Sequence, residues 1–343
     1  MNEFVEKNHY VPESYLKRWG DANGKISVYR ILVPNQNVPL WKKASPRGLA
    51  NHRHLYTRII TSEESDEIER WFNTEFESPA AASIEKAVSD NQLSPEDWKN
   101  LIRFLAAQDV RTPTSLIKTL QNGQSNLESV INENALRTYV QDYEKLKEQG
   151  ISPIISPNSN AEFLPIKVST ELLPGADFGT LRVEGVVGRG YWLFTIKSAL
   201  TGAINKLLTH KWTILRSPAG FEWATSDDPV IRLNYHNPEK YDFFGGWDSA
   251  GTEIFLPLSP RHLLYTKIGS KPLKRGTVLS IELSRGIQQI IIEHAHRFVF
   301  TSKQDANVSV LRPRKVDATI FANEAEQWRN WHEKNKDAES DLR

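Results

Sequence analysis

The stretch TSDDPVIRLN, from Thr225 to Asn234, places a serine and two adjacent carboxylates at a turn that ends in proline. The segments FEWA before it and VIRLN after it are typical of β-strands. Asx and Ser side chains often cap their own backbone at such a turn, and Pro229 fits that interpretation. The aromatic and apolar flanks also place at least one carboxylate beside buried surface, where its pKa and charge matter. We expect Asp227 to face a cleft, because Asp228 precedes the proline and serves the turn.

The second half of the chain is rich in short strand patterns separated by turn signals, which predicts an antiparallel sheet. These patterns are WTILRS, EIFLPLS and HLLYTKI, and FANEAEQWRNWHEKNKDAESDLR follows them as a predicted C-terminal helix. The first half has helical periodicity after a short β segment. The sequence therefore predicts an α+β fold in which a helical N-terminal half packs on a mostly antiparallel sheet formed largely by the C-terminal half.

The segment ISPIISPNSNAEFLP is rich in proline, serine and asparagine, and it predicts a loop or linker at residues 151–165. We place a boundary there, between a mainly helical part at 1–150 with a short N-terminal β segment and a mixed part at 151–343. One continuous domain remains the alternative.

The amino-acid composition limits the classes of function that this protein can have. The 343 residues carry 43 Lys and Arg against 42 Asp and Glu, so a nucleic-acid role has to be local to a cleft. The chain has no cysteine, which excludes disulfides, thiolate metal sites and a cysteine nucleophile and fits a reducing, cytoplasmic compartment. It has no run of about 18 apolar residues, and the sequence therefore predicts no membrane span.

Two predicted helices carry polar groups on apolar stripes. In residues 62–90 the stripe comprises Ile68, Trp71, Phe72 and Phe76. Glu75 lies on this stripe, seven residues after Ile68, and is expected to be either the buried partner of an arginine or a working acid or base. Glu69 and Glu77 lie off the stripe and are expected in solvent.

The next helix begins with Ser94-Pro95-Glu96-Asp97, a strong capping signal, and is broken at Thr112-Pro113. Gln108 and Arg111 fall on a stripe beside buried surface in this helix. We expect them to be the partners of Glu75.

The N-terminal segment offers an imidazole beside a cluster of aromatic residues. His9 precedes Tyr10 and Tyr15, and it is either bonded to backbone or acts as a base or ligand at the mouth of the cleft. His52 and His54 are two residues apart, a spacing that can bind a metal on one face of a strand. No third ligand follows at a regular spacing, so exposed strand residues are the favoured interpretation.

Four segments together resemble the domain of unknown function 4238 family: HYVPESYLKRW, AAQDVRTP, WATSDDPV and FLPLSPRHLLY. The resemblance extends from His9 to about Ser302. It marks, in this sequence, His9, Tyr10, Pro12, Tyr15, Gln108, Arg111, Ser226, Asp227, Pro229, Pro257, Ser259 and Pro260. It implies no reaction. HAHRFVF looks like a variant of the family's last motif, and we assign no role to His294 or His296 on that basis.

Two hypotheses from different classes follow. In the first, the protein is a nuclease-like hydrolase that cuts a phosphodiester in RNA or DNA. Glu75 and Asp227 hold a Mg²⁺ or Mn²⁺ ion or act as acid and base, and His9 is the second proton-transfer group. The substrate is bound by Tyr10, Tyr15, Gln108, Arg111 and Ser226, with Arg111 on the phosphate and the tyrosines on a base.

In the second hypothesis the protein is a non-catalytic binding or interaction module. The same side chains, which are His9, Glu75, Gln108, Arg111 and Asp227, then form a buried polar network that fixes the helical part against the sheet. Removing one partner of such a network is strongly destabilising, which distinguishes it from an active site.

Overall fold

The computed structural model describes residues 4–60, 63–130, 166–172, 179–237 and 240–341. Within these residues helices combine with mainly antiparallel sheets, and the last described element is a helix. The predicted α+β class and the C-terminal helix are confirmed. The predicted linker at 151–165 lies outside the described residues.

The described helices are few in the first 60 residues and frequent afterwards. They are α1 (Glu13–Leu16), α2 (Glu67–Phe72), α3 (Ser78–Val88), α4 (Pro95–Val110), α5 (Pro113–Val130), α6 (Arg189–Ser198), α7 (Ile204–Thr209), α8 (Ile281–His294), α9 (Ala306–Leu311), α10 (Ala318–Arg329) and α11 (Trp331–Asp341). A π-helical turn at Asn73–Glu77 joins α2 to α3, and another at Ala199–Ala203 joins α6 to α7.

The strands are short. They are β1 (Lys7–His9), β2 (Ile26–Arg30), β3 (Leu32–Val33), β4 (Trp41–Ala44), β5 (Asn51–Arg53), β6 (Arg58–Ile60), β7 (Glu63–Ser65), β8 (Ile166–Leu172), β9 (Gly179–Gly185), β10 (Thr213–Arg216), β11 (Thr225–Ser226), β12 (Ile231–Asn237), β13 (Lys240–Asp242), β14 (Glu253–Ser259), β15 (His262–Lys267), β16 (Phe298–Thr301) and β17 (Lys315–Val316).

Two antiparallel sheets form the β layer. The five-stranded sheet has the order β10-β15-β14-β12-β13 and comes entirely from the second half of the chain, as predicted. Its register pairs Ile231 with Phe255 and Leu256 with Leu264. The four-stranded sheet has the order β11-β16-β2-β4, so it pairs strands from both ends of the sequence.

Helix α4 begins as its sequence predicts. The Ser94 hydroxyl accepts from the Asp97 backbone N–H, and the Asp97 carboxylate accepts from the Ser94 backbone N–H, which is a capping box. Leu101 and Leu105 on its inner face are fully buried. The helix therefore packs into the core through an apolar stripe of the predicted kind.

Buried aromatic side chains join the N-terminal segment to the sheets. The Trp19 indole donates to the Trp223 carbonyl at 2.8 Å. The Tyr15 hydroxyl lies 2.8 Å from Thr225 Oγ1 and donates to the Pro257 carbonyl at 2.6 Å. These contacts fix β11, and with it the Asp227-Asp228 turn, against the start of the chain.

A membrane-spanning helix would need a longer apolar run than any helix in the described part of the chain provides.

Candidate active site

A polar cleft of about 260 Å³ lies where α5, β12 and the end of α8 meet. We call it the polar cleft and define it by six of its lining side chains, which are Asp109, Thr114, Lys118, Asp228, Arg232 and His294.

Asp228 enters the cleft from the turn that follows β11. Its backbone N–H donates to Ser226 Oγ at 3.2 Å, and its carboxylate accepts from Thr112 Oγ1 at 3.0 Å. Thr112 precedes α5, and its hydroxyl also accepts from the Ser115 backbone N–H at 3.3 Å. The carboxylate therefore lies at the N-terminus of α5, where the helix dipole favours negative charge.

His294, the last residue of α8, faces Asp228. Its Nδ1 lies 2.9 Å from the Asp228 backbone carbonyl, so Nδ1 carries the proton and donates it. Nε2 is then the basic nitrogen, and it lies 3.6 Å from Asp228 Oδ2. An imidazole held in this tautomer can accept a proton at Nε2 beside a carboxylate that stabilises the resulting cation.

Two cationic side chains line the same cleft. Lys118 projects from α5, and Arg232 projects from β12 with its Nε 3.3 Å from Asp109 Oδ2. The Trp247 indole donates to the same Asp109 oxygen at 2.6 Å, which holds the carboxylate that positions Arg232. The cleft thus places two cationic side chains, one of them paired with Asp109, beside a His–Asp pair.

Thr114 adds an unsatisfied group. Its Oγ1 is buried and lacks a hydrogen-bond partner among the residues that the structure describes. Buried hydroxyls are normally paired, and this one belongs to a residue of the cleft wall. A ligand oxygen in the cleft is a natural partner for it.

The neighbouring Asp227 has a different environment. Its two carboxylate oxygens accept from the backbone N–H groups of His296 at 2.9 Å and Arg297 at 2.8 Å. Burial, together with the charge of Asp228, raises the pKa of Asp227 to about 7, although the backbone bonds act in the opposite direction. The sequence predicts that Asp227 faces a cleft and that Asp228 serves the turn. In the structure Asp228 faces the polar cleft, while Asp227 ties the turn to the start of β16 and lines a separate cavity.

Asp227 also lines a second cavity of about 170 Å³. We call it the aromatic groove and define it by six further lining residues, which are Tyr10, His52, His296, Phe298, Phe321 and Trp328.

The expected position of Glu75 is wrong. Its side chain is half exposed and pairs with Arg103 at 3.2 Å, and it does not line the aromatic groove with Asp227. The reason is the π-helical turn at Asn73–Glu77, which inserts about one extra residue and rotates the following side chains backward. A stripe extrapolated at 3.6 residues per turn therefore selects the wrong glutamate. Glu75 and Asp227 therefore do not form the predicted two-carboxylate site, and the predicted metal site between them is not formed either.

Glu77 takes the predicted place of Glu75. Its Oε1 accepts from Arg111 Nη1 at 2.7 Å, and the Arg111 side chain is fully buried. Glu69 is half-buried, and burial raises its pKa to about 8. The prediction that Glu69 and Glu77 are in solvent is therefore wrong.

The other partners of Arg111 are internal. Its Nε donates to the Tyr10 carbonyl at 3.1 Å, and its own carbonyl accepts from the Tyr56 hydroxyl at 2.7 Å. With its amide oxygen turned toward the guanidinium, Gln108 accepts from Arg111 at 2.7 and 2.9 Å. Arg111 and Gln108 are bonded to each other, and the predicted pairing of both with Glu75 is not formed, since Glu75 pairs with Arg103. Both are buried and bonded internally, so neither is free to bind a phosphate.

The remaining predicted site residues are dispersed. His9 is half-buried, with Nε2 3.3 Å from the Arg47 carbonyl, and burial lowers its pKa. It lines neither the polar cleft nor the aromatic groove. Tyr15 and Ser226 are fully buried, whereas Tyr10 lines the aromatic groove. The expected meeting of His9, Glu75 and Asp227 does not occur.

One group of side chains has the composition of a metal site. His54, Glu64 and His332 bring ligand atoms within 4.8 Å of one another. The two imidazoles are stacked, with centroids 3.9 Å apart at 22°. Nitrogen lone pairs lie in the ring plane, so those of stacked rings run side by side and do not converge on one ion.

The hydrogen bonds of His332 also argue against a metal. Arg189 Nη1 lies 3.1 Å from His332 Nδ1. That nitrogen accepts, and the proton remains on Nε2, which lies 2.9 Å from Glu64. The group is therefore a hydrogen-bonded contact that holds α11 against the N-terminal strands.

Sequence reasoning missed the groups that build the polar cleft. His294 lies in HAHRFVF, a segment that the family resemblance had already marked, and Thr112 lies at the predicted helix break. These two signals were available. Lys118, Arg232 and Asp109 carry no local signal, because only the tertiary fold brings α4, α5 and β12 together.

The fold and the cleft define a class: an α+β protein in which helices cover antiparallel sheets and a His–Asp pair lies in a polar cleft between them. The chain belongs to the family described as protein of unknown function (DUF4238), whose model matches residues 7–305. No curated protein and no solved structure matches the chain significantly.

Proposed function

We propose that this protein is a nuclease-like phosphodiester hydrolase that works in the polar cleft. The observation that carries the proposal is the His294–Asp228 pair, with Nε2 basic and 3.6 Å from the carboxylate, in a cleft that also holds Lys118 and Arg232. Basic and cationic groups in one cleft suit an anionic substrate that is attacked by water.

The proposed step is a simple hydrolysis. His294 Nε2 removes a proton from a water molecule as the water oxygen forms a bond to phosphorus. The bond between phosphorus and the leaving oxygen breaks, and that oxygen takes a proton from solvent. The products are a phosphomonoester and an alcohol, and the imidazolium returns its proton to solvent. Asp228 stabilises the imidazolium while it exists.

Lys118, Arg232 and Thr114 bind the phosphate in this proposal. A guanidinium and an ammonium stabilise the charge that gathers on the phosphoryl oxygens, and the unpaired Thr114 hydroxyl donates to one of them. Arg111, the residue that the sequence predicts on the phosphate, lies elsewhere and pairs with Glu77.

RNA or DNA is the proposed substrate polymer. The net charge of +1 gives no general basic surface, so binding depends on the local charge of the cleft. A cytoplasmic location is part of the proposal, and the absence of cysteine supports it.

A second candidate is the non-catalytic module. The group formed by Arg111, Gln108, Glu77 and Glu69 supports a structural network, in which Glu77 and Glu69 stand in place of the Glu75, His9 and Asp227 that this hypothesis named. Under this alternative the polar cleft binds a phosphate-containing ligand without cleaving it.

The deciding experiment is an assay of the purified protein against labelled single-stranded and duplex RNA and DNA, with Mg²⁺, with Mn²⁺ and with chelator. Each substrate is also tested for binding. The variants are His294→Ala and Asp228→Asn, with His236→Ala as a matched control, because that histidine pairs with Asp242 outside the cleft. We expect His294→Ala to lose at least about 100-fold in rate. Binding without cleavage under every condition would favour the module and end the hydrolase proposal.

A further inference from the structure

The aromatic groove adjoins the polar cleft through two adjacent residues. Asp227 lines the groove and Asp228 lines the cleft, and neighbouring Cα atoms are about 3.8 Å apart. A second pair of nearby residues has the same arrangement: His296 lines the groove, and His294, two residues earlier, lines the cleft. One ligand that occupies the cleft is therefore close enough to place a neighbouring group in the groove.

The groove continues into a larger apolar space of about 370 Å³ between α5 and α10. The two cavities share His296, Arg297, Glu324 and Trp328. Helix α10, which supplies Phe321 and Trp328, has no fully buried residue, so its aromatic face forms an open wall. The groove is thus accessible from solvent and extends beyond a single small cavity.

Flat rings dominate the groove wall. The His52 imidazole lies on Trp328 with centroids 3.7 Å apart at 13°, and it lies 5.5 Å from Tyr10 at 25°. Phe321 and Phe298 supply two more rings to the same wall. Stacked and adjacent rings of this kind favour a planar aromatic ligand, because stacking depends on the ring face and not on one set of hydrogen bonds.

Two of the polar groups of the groove are neutral imidazoles, those of His52 and His296. Burial lowers the pKa of both His52 and His296 to about 4. Neither ring has a hydrogen bond to another of the described residues, whereas the His296 backbone N–H is bonded to Asp227. Each neutral imidazole offers one donor and one acceptor, which matches the mixed edge of a heterocycle.

The charges of the groove disfavour an anion. The carboxyl group of Asp227 lies in its wall, and Arg297 at its edge is neutralised by Glu324, with contacts of 2.8 and 3.1 Å. Among the described residues a phosphate would find no uncompensated cation there. In the polar cleft Arg232 is paired with Asp109, but Lys118 has no carboxylate partner among the described residues. The groove and the cleft therefore differ in the chemistry that they can bind.

We infer that the aromatic groove binds one unstacked nucleobase of the substrate whose phosphate lies in the polar cleft. The inference rests on the proposed function and narrows it. A base in the groove has left its stack and its pairing partner, so the substrate class is single-stranded RNA or DNA.

The test compares oligonucleotides that differ only in their bases. Binding is measured by fluorescence anisotropy in the His294→Ala background, which prevents cleavage. The ligands are labelled single-stranded deoxyribo- and ribo-oligonucleotides, a duplex, and an abasic strand of equal length. We expect the base-bearing single strands to bind at least about tenfold more tightly than the abasic strand and the duplex. The tighter of the RNA and DNA arms identifies the polymer.

Two substitutions locate the effect. Phe321→Ala and His296→Leu are expected to remove most of the difference between the base-bearing and abasic strands, and Val310→Ala, an exposed apolar control, is expected to keep it. Melting curves check that each variant is folded. If His296→Leu does not fold, Phe321→Ala alone tests the groove, because Phe321 is only half-buried. Equal binding of abasic and base-bearing strands would overturn the nucleobase site and leave the hydrolase proposal standing. Failure of every strand to bind would overturn the proposed function, and the groove inference with it.

Discussion

Arg111 Nη1 lies 2.7 Å from Glu77 Oε1; the Arg111 side chain is fully buried and that of Glu77 is 20% exposed. The guanidinium also bonds the Tyr10 carbonyl, so one side chain connects α4, the π-helical turn and the start of the chain. Glu69 is close enough to the guanidinium to be influenced by it. Burial raises the pKa of Glu69 and the nearby charge of Glu77 adds to that rise, while the Arg111 guanidinium opposes it.

The first prediction concerns the stability of this network. Arg111→Met leaves Glu77 and the Tyr10 carbonyl without their partner in the interior, and the expected cost is about 3–5 kcal/mol of unfolding free energy. Urea denaturation measures it. Lys17→Ala, which removes an exposed pair with Glu13, is the control and is expected to cost about 0–1 kcal/mol. A loss at Arg111 no larger than the control's would mean that the network is not structural.

The second prediction is a pH dependence at Glu69. Burial raises the pKa of Glu69 from 4.5 to about 8, so the folded state retains a proton that the unfolded chain releases above about pH 4.5. The contribution of this group to stability is therefore fully present below pH 4.5 and is lost as the pH rises toward 8.

Glu69→Gln removes this ionisation while it keeps the shape of the side chain. We expect the variant to match the parent near pH 5 and to become progressively more stable than the parent between pH 6 and 8. Melting temperatures across this range provide the measurement. A constant difference between the two proteins at every pH would show that Glu69 does not titrate in this way.

The third prediction follows from the π-helical turn. Thr74 is exposed within Asn73–Glu77, and deleting it restores a regular α-helix through α2 and α3. The buried residues Phe76, Ala80 and Ile84 then follow Phe72 at spacings nearer 3.6 residues per turn, so Glu77 still faces Arg111.

We expect the Thr74 deletion to fold, with its midpoint in urea close to that of the parent. The control is deletion of Lys99, an exposed residue of the regular helix α4, which rotates every later side chain of that helix by about 100°. That deletion is expected to prevent cooperative folding. Equal damage from the two deletions would argue against an inserted residue in the turn.

The fourth prediction tests the charge of the polar cleft. Lys118→Ala removes one phosphate contact, so binding of an oligonucleotide weakens for every sequence, and the slope of log K against log salt falls by about one unit. Lys303→Ala, with an exposed side chain near Glu222 and outside the lining of the cleft, is the control. An unchanged salt slope for Lys118→Ala would remove this lysine from the binding site.

Much of the fold could be read from local patterns. Helix α4 begins at its predicted capping box, the predicted N-terminal β segment includes β2, and the strands of the second half pair as an antiparallel sheet. These features depend on neighbours within a few residues, so propensity, capping and alternation are sufficient to predict them. The turn at Ser226 also ends its strand as predicted, because the Ser226 hydroxyl bonds the Asp228 backbone.

The position of each site side chain could not be read in this way. The choice between Glu75 and Glu77 depended on one inserted residue in a helix, which changes the direction of the side chains without changing the sequence pattern. The choice between Asp227 and Asp228 depended on backbone donors about 70 residues later, at His296 and Arg297.

The sequence by itself determined the elements of this protein, its α+β class and the turn that carries its carboxylates, because each of these is set by short-range backbone and side-chain preferences. Only the tertiary structure decided that Asp228 meets His294, 66 residues away, and that Lys118 and Arg232 share their cleft. Such meetings depend on how elements pack around a common core, and no local pattern in the chain encodes the direction from which a distant side chain arrives.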